Sequence, residues 1–393
     1  MMDWRVIREL AQYEPQDGPV VSLFLNLASP ARVETEFNSL VHYAREEFKE
    51  DKNLDEKNRR ALDRLVTDLD KQVRKALAAS TEGRLLVVFA DQKGTWRELR
   101  MPVALPSRLV VQNTPFIQPL SLLMDEFPLY AVLVADSRDA RLFSLFLGDF
   151  REHPNVFIHD EVPDRVSTKK SMTFSIGSAH GGGVHGGMGD QRIQRHIKDH
   201  IHKHLKRVAE SAFAFFKKER FDRILLAAPS PEVLSTLKAH LHSYLAERIS
   251  GDFQARPEED DQELKRRALD LARSIESEKE RRDLDRLVDL HFSGGLGVLG
   301  LEPVLGALRM GQIHTLVIRD DFKVPGYMCE KDRYLSAGPA RCPMCGDDLQ
   351  PVEWLSEAIV QESLMQGAEI EHVHADHEKF DAHGVGAFLR FRG

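Results

Sequence analysis

Apolar residues recur along the first hundred positions at two spacings, one typical of strands and one typical of helices. Strands are predicted at 20–25 and 85–90, which are rich in apolar residues, and at 96–101, which a turn at 91–94 joins to the second of them. Between the first two runs, apolar residues three and four positions apart predict two amphipathic helices. Their apolar faces consist of Phe37, Leu40, Val41, Ala44 and Phe48, and of Leu62, Leu65, Val66, Leu69 and Val73. Prolines at 102, 106, 115 and 119 indicate a connector, so we predict an N-terminal α/β domain over residues 1–118.

The middle of the chain, residues 119–256, combines strands with a glycine-rich run and a long helix. Strands are predicted at 130–135, 140–147 and 223–228, and a helix at 231–248. The segment 177–191 is so rich in glycine that we predict a mobile loop, because glycine loses more backbone entropy on ordering than other residues. A helix from about Gln191 to Lys218 is predicted to follow. Its apolar stripe consists of Ile193, Ile197, Ile201, Leu205, Val208 and Ala212.

The last segment, residues 257–393, begins with an acidic run at 258–261 and a long charged helical region. Helices at 301–310 and 354–366 then alternate with strands at 313–318, 368–374 and 388–391, and a cysteine-containing insert occupies 325–350. Such alternation is typical of a small α/β sandwich. The predicted fold class is therefore α/β (mixed α+β) with three domains.

Composition narrows the class of protein. The 393 residues include 54 Lys and Arg against 62 Asp and Glu, a net charge of −8, which argues against a protein that coats nucleic acid with a uniformly basic surface. The longest apolar run, 129–135, is far short of the ~20 residues of a membrane span. Three cysteines do not make a disulfide framework. We therefore expect a cytoplasmic protein that has no membrane partner.

Three familiar motifs fail on their context. The Gly295–Gly300 segment matches GxGxxG but follows a charged helix rather than a strand, which favours a helix stop over a dinucleotide site. The His180–Gly183 run lacks the GxSxG serine that esterase chemistry needs. A metal-dependent nuclease would depend on Asp136 alone, whereas two-metal chemistry needs several carboxylates.

The predicted helix after the glycine-rich run carries a strong local charge. Between Gln191 and Arg220 there are nine Lys or Arg and three acids. A basic helix of this kind gains free energy on RNA by counterion release, and it is also what the solvated face of an amphipathic helix looks like. Charge alone leaves both interpretations open.

Two stretches of sequence carry a family resemblance. The His-Gly-Gly-Met-Gly-Asp-Gln segment at 185–191, leading into basic residues, resembles the tip of the middle domain of archaeal and eukaryotic peptide release factors. Residues 297–316 and 384–391 resemble the beginning and end of the C-terminal domain of release factors and Pelota. The chain is thus similar to bacterial release-factor-like (Balon-like) members of that superfamily. The codon-reading Asn-Ile-Lys-Ser loop is not in the sequence.

The resemblance implies an RNase-H-like middle domain and a set of site residues. It implies that Gln191, with Gly189 and Asp190, lies at the peptidyl-transferase centre in the ribosomal A site. It also implies that a further set of residues contacts rRNA or the tRNA acceptor end: His185, Gly186, Gly187, Arg192, Arg195, Lys198, Lys203, Lys206 and Arg207. A translational GTPase is an implied partner of the C-terminal domain.

Two functions remain open at this stage. One is a binding factor for hibernating or stalled ribosomes; the other is a peptidyl-tRNA hydrolase in which Gln191 positions water. The motif here is Gly-Asp-Gln, and Asp190 brings a negative charge beside phosphates and a developing oxyanion. That charge disfavours hydrolysis.

The cysteine insert is a candidate metal site. Cys342-Pro-Met-Cys345-Gly has the form of a zinc knuckle, and Cys329 with Asp332 supplies the remaining two ligands of a tetrahedral structural Zn²⁺ site. The alternative is a degenerate knuckle with reduced, unliganded thiols. A second possible metal cluster comprises His372, His374, His377 and His383 with Asp376.

Overall fold

The computed structural model describes residues 4–15, 18–50, 56–80, 82–157, 187–219, 221–329, 331–374 and 376–392. Contacts group the chain into two compact units. Residues 1–127 and 276–393 form one, called the composite unit below, and residues 128–275 form the other, the middle unit. The expected mixed α/β fold with more than one domain is confirmed. The boundaries at 118 and 256 stay a prediction.

The N-terminal part of the composite unit is a four-stranded antiparallel sheet in the order β3-β2-β1-β4. Helices α2 and α3 cover one face with the apolar stripes that the sequence predicted. On the opposite face Phe24 packs edge-on against Phe89 and Phe116. Burial of both faces explains why most residues of β1 and β2 are apolar. The elements are α1 Trp4–Ala11, β1 Val20–Asn26, α2 Pro30–Glu50, α3 Glu56–Ala79, β2 Leu85–Asp91, β3 Gly94–Met101, β4 Arg108–Gln112 and α4 Gln118–Glu126.

The middle unit contains a five-stranded sheet in the order β7-β6-β5-β8-β9, in which β5, β8 and β9 are parallel. Helices α5 and α6 bury one face, and the first turns of α8 bury the other. The elements are β5 Tyr130–Ala135, β6 Ala140–Phe146, β7 Asp149–Glu152, α5 Gly187–Phe216, β8 Arg223–Ala228, α6 Pro231–His240, α7 Ser243–Ala246, β9 Ile249–Gln254 and α8 Asp261–Phe292.

The predicted helix 231–248 is wrong beyond residue 240. Ser230 caps α6 through a hydrogen bond from Val233 N, but the helix ends at Leu241, whose backbone is extended. His242 then caps the four-residue helix α7 with its ring, and β9 follows as a strand that the sequence analysis did not predict. The cap formed by His242 therefore divides the predicted helix in two, although the residues on both sides have helical spacing of apolar positions.

The C-terminal part of the composite unit has a sheet in the order β10-β16-β11-β15, with β11 and β15 parallel. The cysteine insert forms a separate three-stranded sheet in the order β13-β12-β14. The elements are β10 Gly297–Leu299, α9 Leu301–Arg309, β11 Ile313–Arg319, β12 Gly326–Met328, β13 Leu335–Ser336, β14 Gln350–Val352, α10 Leu355–Met365, β15 Glu369–Val373, α11 Glu378–Asp381 and β16 Val385–Leu389. None of the helices in the described ranges has the length and apolar character needed to cross a bilayer.

The glycines of the GxGxxG match have packing roles. A Cβ on Gly295 or Gly297 would lie 2.8 or 2.9 Å from side-chain atoms of Leu290, near the end of α8. Gly300 has φ +94° immediately before α9, a conformation that favours glycine. These glycines therefore let the chain turn tightly from α8 into β10 and α9.

Candidate functional site

The C-terminal end of the glycine-rich segment is helical. His185 and Gly186 lie outside the described residues, whereas Gly187 is the first residue of α5. The structure thus assigns 187–191 to the helix instead of to the predicted loop, and Gly189, Asp190 and Gln191 have helical backbone.

The exposed face of α5 is basic where its side chains are described, from Lys198 onward. Lys198, Lys203, Lys206 and Arg207 are exposed, and their contact with RNA stays a prediction. The side chains of Arg192 and Arg195 lie outside the described part of the chain. Lys206 approaches Glu210 at 3.9 Å, but both side chains are 64% exposed, so this pair contributes little stability. The opposite face is apolar and packs on the sheet of the middle unit through Leu205, Val208, Ala212 and Phe216.

One histidine of α5 does not belong to the basic surface. His204 is 6% exposed, and burial lowers its pKa, although a hydrogen bond to the Asp139 backbone and the charge of Asp136 act in the opposite direction. The ring is therefore neutral at pH 7. It belongs to the packing between α5 and the turn after β5.

The Asp136 carboxylate accepts hydrogen bonds from neighbouring backbone N–H groups. Its Oδ1 accepts hydrogen bonds from the N–H groups of Arg138 and Asp139, both at 2.7 Å, and so shapes the β5–β6 turn. Among the described residues, the only group of metal-ligating side chains brought together is in the cysteine insert. Asp136 therefore has a structural role, and the nuclease hypothesis gains no support.

The four predicted metal ligands converge. One ligand atom each of Cys329, Asp332, Cys342 and Cys345 lies within 4.8 Å of every other. The sulfur atoms of Cys329 and Cys345 are 3.6 Å apart, and Cys342 Sγ lies 3.1 Å from an Asp332 oxygen. Cys329 and Asp332 follow β12, whereas Cys342 and Cys345 lie in the turn between β13 and β14.

Local backbone holds this cluster in shape. Asp332 N donates to Cys329 Sγ at 3.4 Å, and Gly346 N donates to Cys342 O at 2.9 Å with Gly346 at φ +79°. Cys329 and Cys342 are 4% and 2% exposed, in a small apolar cluster with Leu349, whereas Cys345 is exposed. Backbone hydrogen bonds thus hold both the Cys329–Asp332 segment and the Cys342–Cys345 turn in place without a bound metal.

The charges of the cluster are those of a cation site. The Asp332 carboxylate, hydrogen-bonded by the thiols, raises the pKa of Cys345 to about 12, and hydrogen bonds from Cys345 and Cys342 lower the pKa of Asp332. In tetrahedral Zn²⁺ sites with Zn–S bonds of about 2.3 Å, sulfur atoms lie about 3.8 Å apart. The 3.6 Å separation of Cys329 and Cys345 is close to that value. The donor set therefore fits a thiophilic metal such as zinc.

The histidines near the C-terminus do not form a metal group in the described part of the chain. His372 and His374 each place Nδ1 3.2 Å from an Asp320 oxygen, and His377 Nε2 lies 3.2 Å from Asp285. These rings pair with carboxylates of the composite unit. The structure gives no support to the second metal cluster, including its members His383 and Asp376.

A buried polar network was missed by the sequence analysis. The Ser121 hydroxyl lies 3.1 Å from His372 Nε2, and His372 Nδ1 faces Asp320. The order Ser-His-Asp matches a hydrolase triad, but Ser121 is fully buried and its hydroxyl donates to Gln118 O, so it is not placed to meet a substrate. The network instead joins α4 to β15.

The same network contains a buried carboxyl group and a partly buried ion pair. Asp125 accepts a hydrogen bond from His372 N at 2.6 Å, and Glu371 pairs with Lys279 at 2.7 Å. Burial raises the pKa of Asp125 to about 8 and also raises that of Glu371. These partners are up to 247 residues apart, and no local sequence signal connects them.

Comparison with known proteins agrees with the resemblance found in the sequence. Residues 115–273 match the profile of the family described as bacterial archaeo-eukaryotic release factor family 10. Peptide chain release factor subunit 1 of Thermococcus onnurineus is 24% identical, with 98% of this chain and 96% of the relative covered. The same factor from Archaeoglobus fulgidus is 23% identical, with 70% and 69% covered. These sequence relationships support a bacterial member of the superfamily of archaeal and eukaryotic release factors and Pelota. Within that superfamily, its central region groups with the bacterial members described as family 10.

Solved structures of the superfamily are also similar to this chain. The archaeal translation termination factor aRF1 is 15% identical, with 98% of this chain and 96% of that chain covered and a TM-score of 0.25. Dom34 of S. cerevisiae, described as a translation termination-like factor that interacts with Hbs1, is 13% identical, with 78% and 86% covered and a TM-score of 0.40. Membership in the superfamily depends on the sequence relationships and not on these superpositions.

Proposed function

We propose that this protein is a translation factor that binds the ribosomal A site and acts in hibernation or in rescue of stalled ribosomes. The observation that carries the proposal is the basic face of α5, which lies inside the matched region 115–273 and directly follows the glycine-rich segment. The relatives are release factors, and a factor of this kind works where ribosomes are, in the cytoplasm.

Charge is the physical basis of the proposed contact. The chain carries a net charge of −8, yet Lys198, Lys203 and Lys206 project into solvent from one helix. Each cation that neutralises an RNA phosphate releases a condensed counterion, which makes binding favourable and strongly dependent on salt. The lysines of α5 would thus bind rRNA or the tRNA acceptor end, while Gly189, Asp190 and Gln191 at the start of the helix enter the peptidyl-transferase centre.

Co-sedimentation with vacant ribosomes tests this proposal. Wild type is expected to pellet with ribosomes, and changing Lys198, Lys203 and Lys206 to glutamine is expected to weaken binding and reduce the slope of log K against log salt by about 2–3. A matched control replaces three exposed cations of α3, listed here: Arg60, Lys71 and Lys75. Failure of wild type to pellet at low salt, or equal losses in both triple variants, contradicts the proposal.

Peptidyl-tRNA hydrolysis is the second candidate function, and it is favoured by the relatives being peptide chain release factors. In this function Gln191 holds a water near the ester carbon. Asp190 opposes it, because a negative charge beside the developing oxyanion removes stabilisation, and loss of one oxyanion contact costs about 10²–10³ in rate.

A single-turnover assay on ribosomes carrying labelled peptidyl-tRNA separates the two functions. The binding function predicts no release by wild type and a gain of release in Asp190→Gly. Release by wild type that disappears in Gln191→Ala establishes the hydrolase instead.

Zinc is the metal that we propose for the cysteine cluster. Cys329, Cys342 and Cys345 would bind as thiolates and Asp332 as a carboxylate, in a structural site that fastens the insert. Protein purified without a histidine tag is expected to contain about one equivalent of zinc by elemental analysis. Loss of zinc in Cys342→Ser, but not in a variant of the exposed Met344, is expected; less than about 0.2 equivalents in wild type excludes the site.

A translational GTPase is the proposed protein partner of the C-terminal part of the chain. Dom34, to which this chain is similar, is described as interacting with Hbs1. Binding of a purified translational GTPase to the immobilised full-length protein, with and without ribosomes, tests whether this chain has such a partner.

A further inference from the structure

A row of flat side chains lies on the surface of the middle unit where α5 meets α7. The Phe213 ring of α5 stacks on the His242 ring with centroids 4.2 Å apart and planes 12° apart. Tyr244 lies edge-on to Phe213 at 6.3 Å. We call Phe213, His242 and Tyr244, with the two cations described next, the stacking platform.

Two cations lie over these rings. The Arg248 guanidinium carbon is 3.8 Å from the centre of the Tyr244 ring, and Lys217 Nζ is 4.6 Å from the centre of Phe213. Arg248 also donates to Tyr244 O at 2.7 Å, which fixes the guanidinium in place. A planar cation on an aromatic ring is the arrangement that receives nucleobases in RNA-binding proteins.

The platform is accessible to solvent, and the neutral His242 ring has one N–H group that can donate a hydrogen bond. Tyr244 is 40% exposed, and His242 and Lys217 are exposed. His242 Nδ1 accepts from Tyr244 N at 3.1 Å, so the neutral ring carries its proton on Nε2. That N–H can donate to a base edge or a phosphate.

The platform continues the basic face of α5. Lys206 and Phe213 are seven residues apart in α5, which places them on one stripe of the helix. Lys217 follows the last residue of α5 and continues that stripe, since its N–H donates to Phe213 O at 3.1 Å. Three exposed acids belong to the same segments: Glu210 pairs with Lys206, Glu219 is two residues from Lys217, and Glu247 is the C-cap of α7. Phosphates bound along the lysines would therefore lead unpaired bases towards the rings.

We propose that the stacking platform binds unpaired bases of single-stranded RNA. This inference depends on the proposed function, because it assigns base contacts to the same RNA whose phosphates α5 would hold. A duplex would use the charge but not the flat faces, because its bases already stack on one another, whereas every unpaired nucleobase has a π-face that can stack on a ring.

The test compares two labelled 12-nucleotide probes in fluorescence anisotropy, an oligoadenosine RNA and an abasic strand of equal charge. Wild type is expected to bind the oligoadenosine about tenfold or more tightly than the abasic strand, because each base that stacks on a ring adds to the binding free energy and the abasic strand has no bases. The double variant Tyr244→Leu with His242→Ala is expected to lose this preference while keeping its affinity for the abasic strand. Leucine keeps the apolar contact to α5, and Tyr43→Ala, at a tyrosine that is 71% exposed in the composite unit, is the control.

Two results overturn the inference: equal affinity of wild type for both probes, or a base preference that survives in the double variant. Ribosome pelleting keeps this test separate from the proposed function. If the protein pellets with ribosomes but shows no base preference, the inference about the stacking platform is wrong and the proposed function stands. If it shows a base preference but does not pellet, the proposed function is wrong and RNA binding by the platform stands.

Discussion

Replacing Asp125 by asparagine is expected to stabilise the composite unit, by an amount that grows with pH. The carboxyl group lies between α4 and β15, where it accepts a hydrogen bond from His372 N at 2.6 Å. Burial, with the charge of Glu371 acting in the same direction, raises the pKa of Asp125 to about 8. Asparagine keeps the shape and an acceptor oxygen but has no charge to bury.

The sign and size of the effect follow from proton linkage. Folding raises the pKa of Asp125 from its ordinary value of 3.8, so its contribution to stability is fully present below pH 3.8 and is lost as the pH rises towards 8. In that window the unfolded chain has released one proton that the folded chain retains. The free energy of unfolding of wild type therefore falls by about 1.4 kcal/mol per pH unit relative to Asp125→Asn, or about 3 kcal/mol from pH 5 to pH 7.

Chemical denaturation followed by tryptophan fluorescence measures this difference. All three tryptophans, Trp4, Trp96 and Trp354, belong to the composite unit, so their emission reports on the unit that contains Asp125. Unfolding curves at pH 5, 6 and 7 are expected to diverge for wild type and Asp125→Asn. Asp376→Asn, at an exposed position of the same unit, is expected to follow wild type at every pH. Parallel curves for wild type and Asp125→Asn would refute the reasoning.

Two further predictions concern the composite unit. Gly386→Ala is expected to lower its free energy of unfolding by about 1–3 kcal/mol, because the new Cβ would lie 2.8 Å from Val298 O in the centre of the sheet. Gly306→Ala is the control, because Gly306 lies in α9 and no atom lies within 4 Å of the new Cβ. This variant is expected to raise the free energy of unfolding by about 1 kcal/mol. Equal destabilisation of the two variants contradicts this packing argument. If the cysteine cluster holds zinc, a chelator is expected to lower the thermal midpoint of wild type and to leave that of Cys342→Ser unchanged. A wild-type midpoint that does not respond to chelator contradicts the structural role of the metal.

Local patterns were sufficient for much of the fold. The apolar stripes around Phe37 and Leu69 are buried as expected, because a helix that must cover a sheet needs one apolar face whatever else it contacts. The approach of Cys342 to Cys345 was also foreseeable from their spacing, since a tight turn brings such residues together. Cys329 and Asp332 were assigned to the same site because their spacing resembles the first half of a zinc ribbon, and the structure brings their ligand atoms to it.

Other features depend on contacts that no local pattern encodes. The end of α6 at His240 and the separate strand β9 were missed, because a ring cap at His242 and pairing with β8 outweighed a helical pattern. The stacking platform was missed as well, since Phe213 looks like an ordinary core position until α7 is packed beside it.

The sequence by itself determined which residues are apolar, where the charge of α5 is concentrated and which superfamily the chain resembles, because these are properties of neighbouring positions along the chain. Only the tertiary structure decided that Asp125 is buried beside Glu371 and that rings from α5 and α7 share one surface. The reason is physical: pKa shifts and stacking depend on distances of a few ångströms between atoms, and such distances exist only after distant segments have packed together.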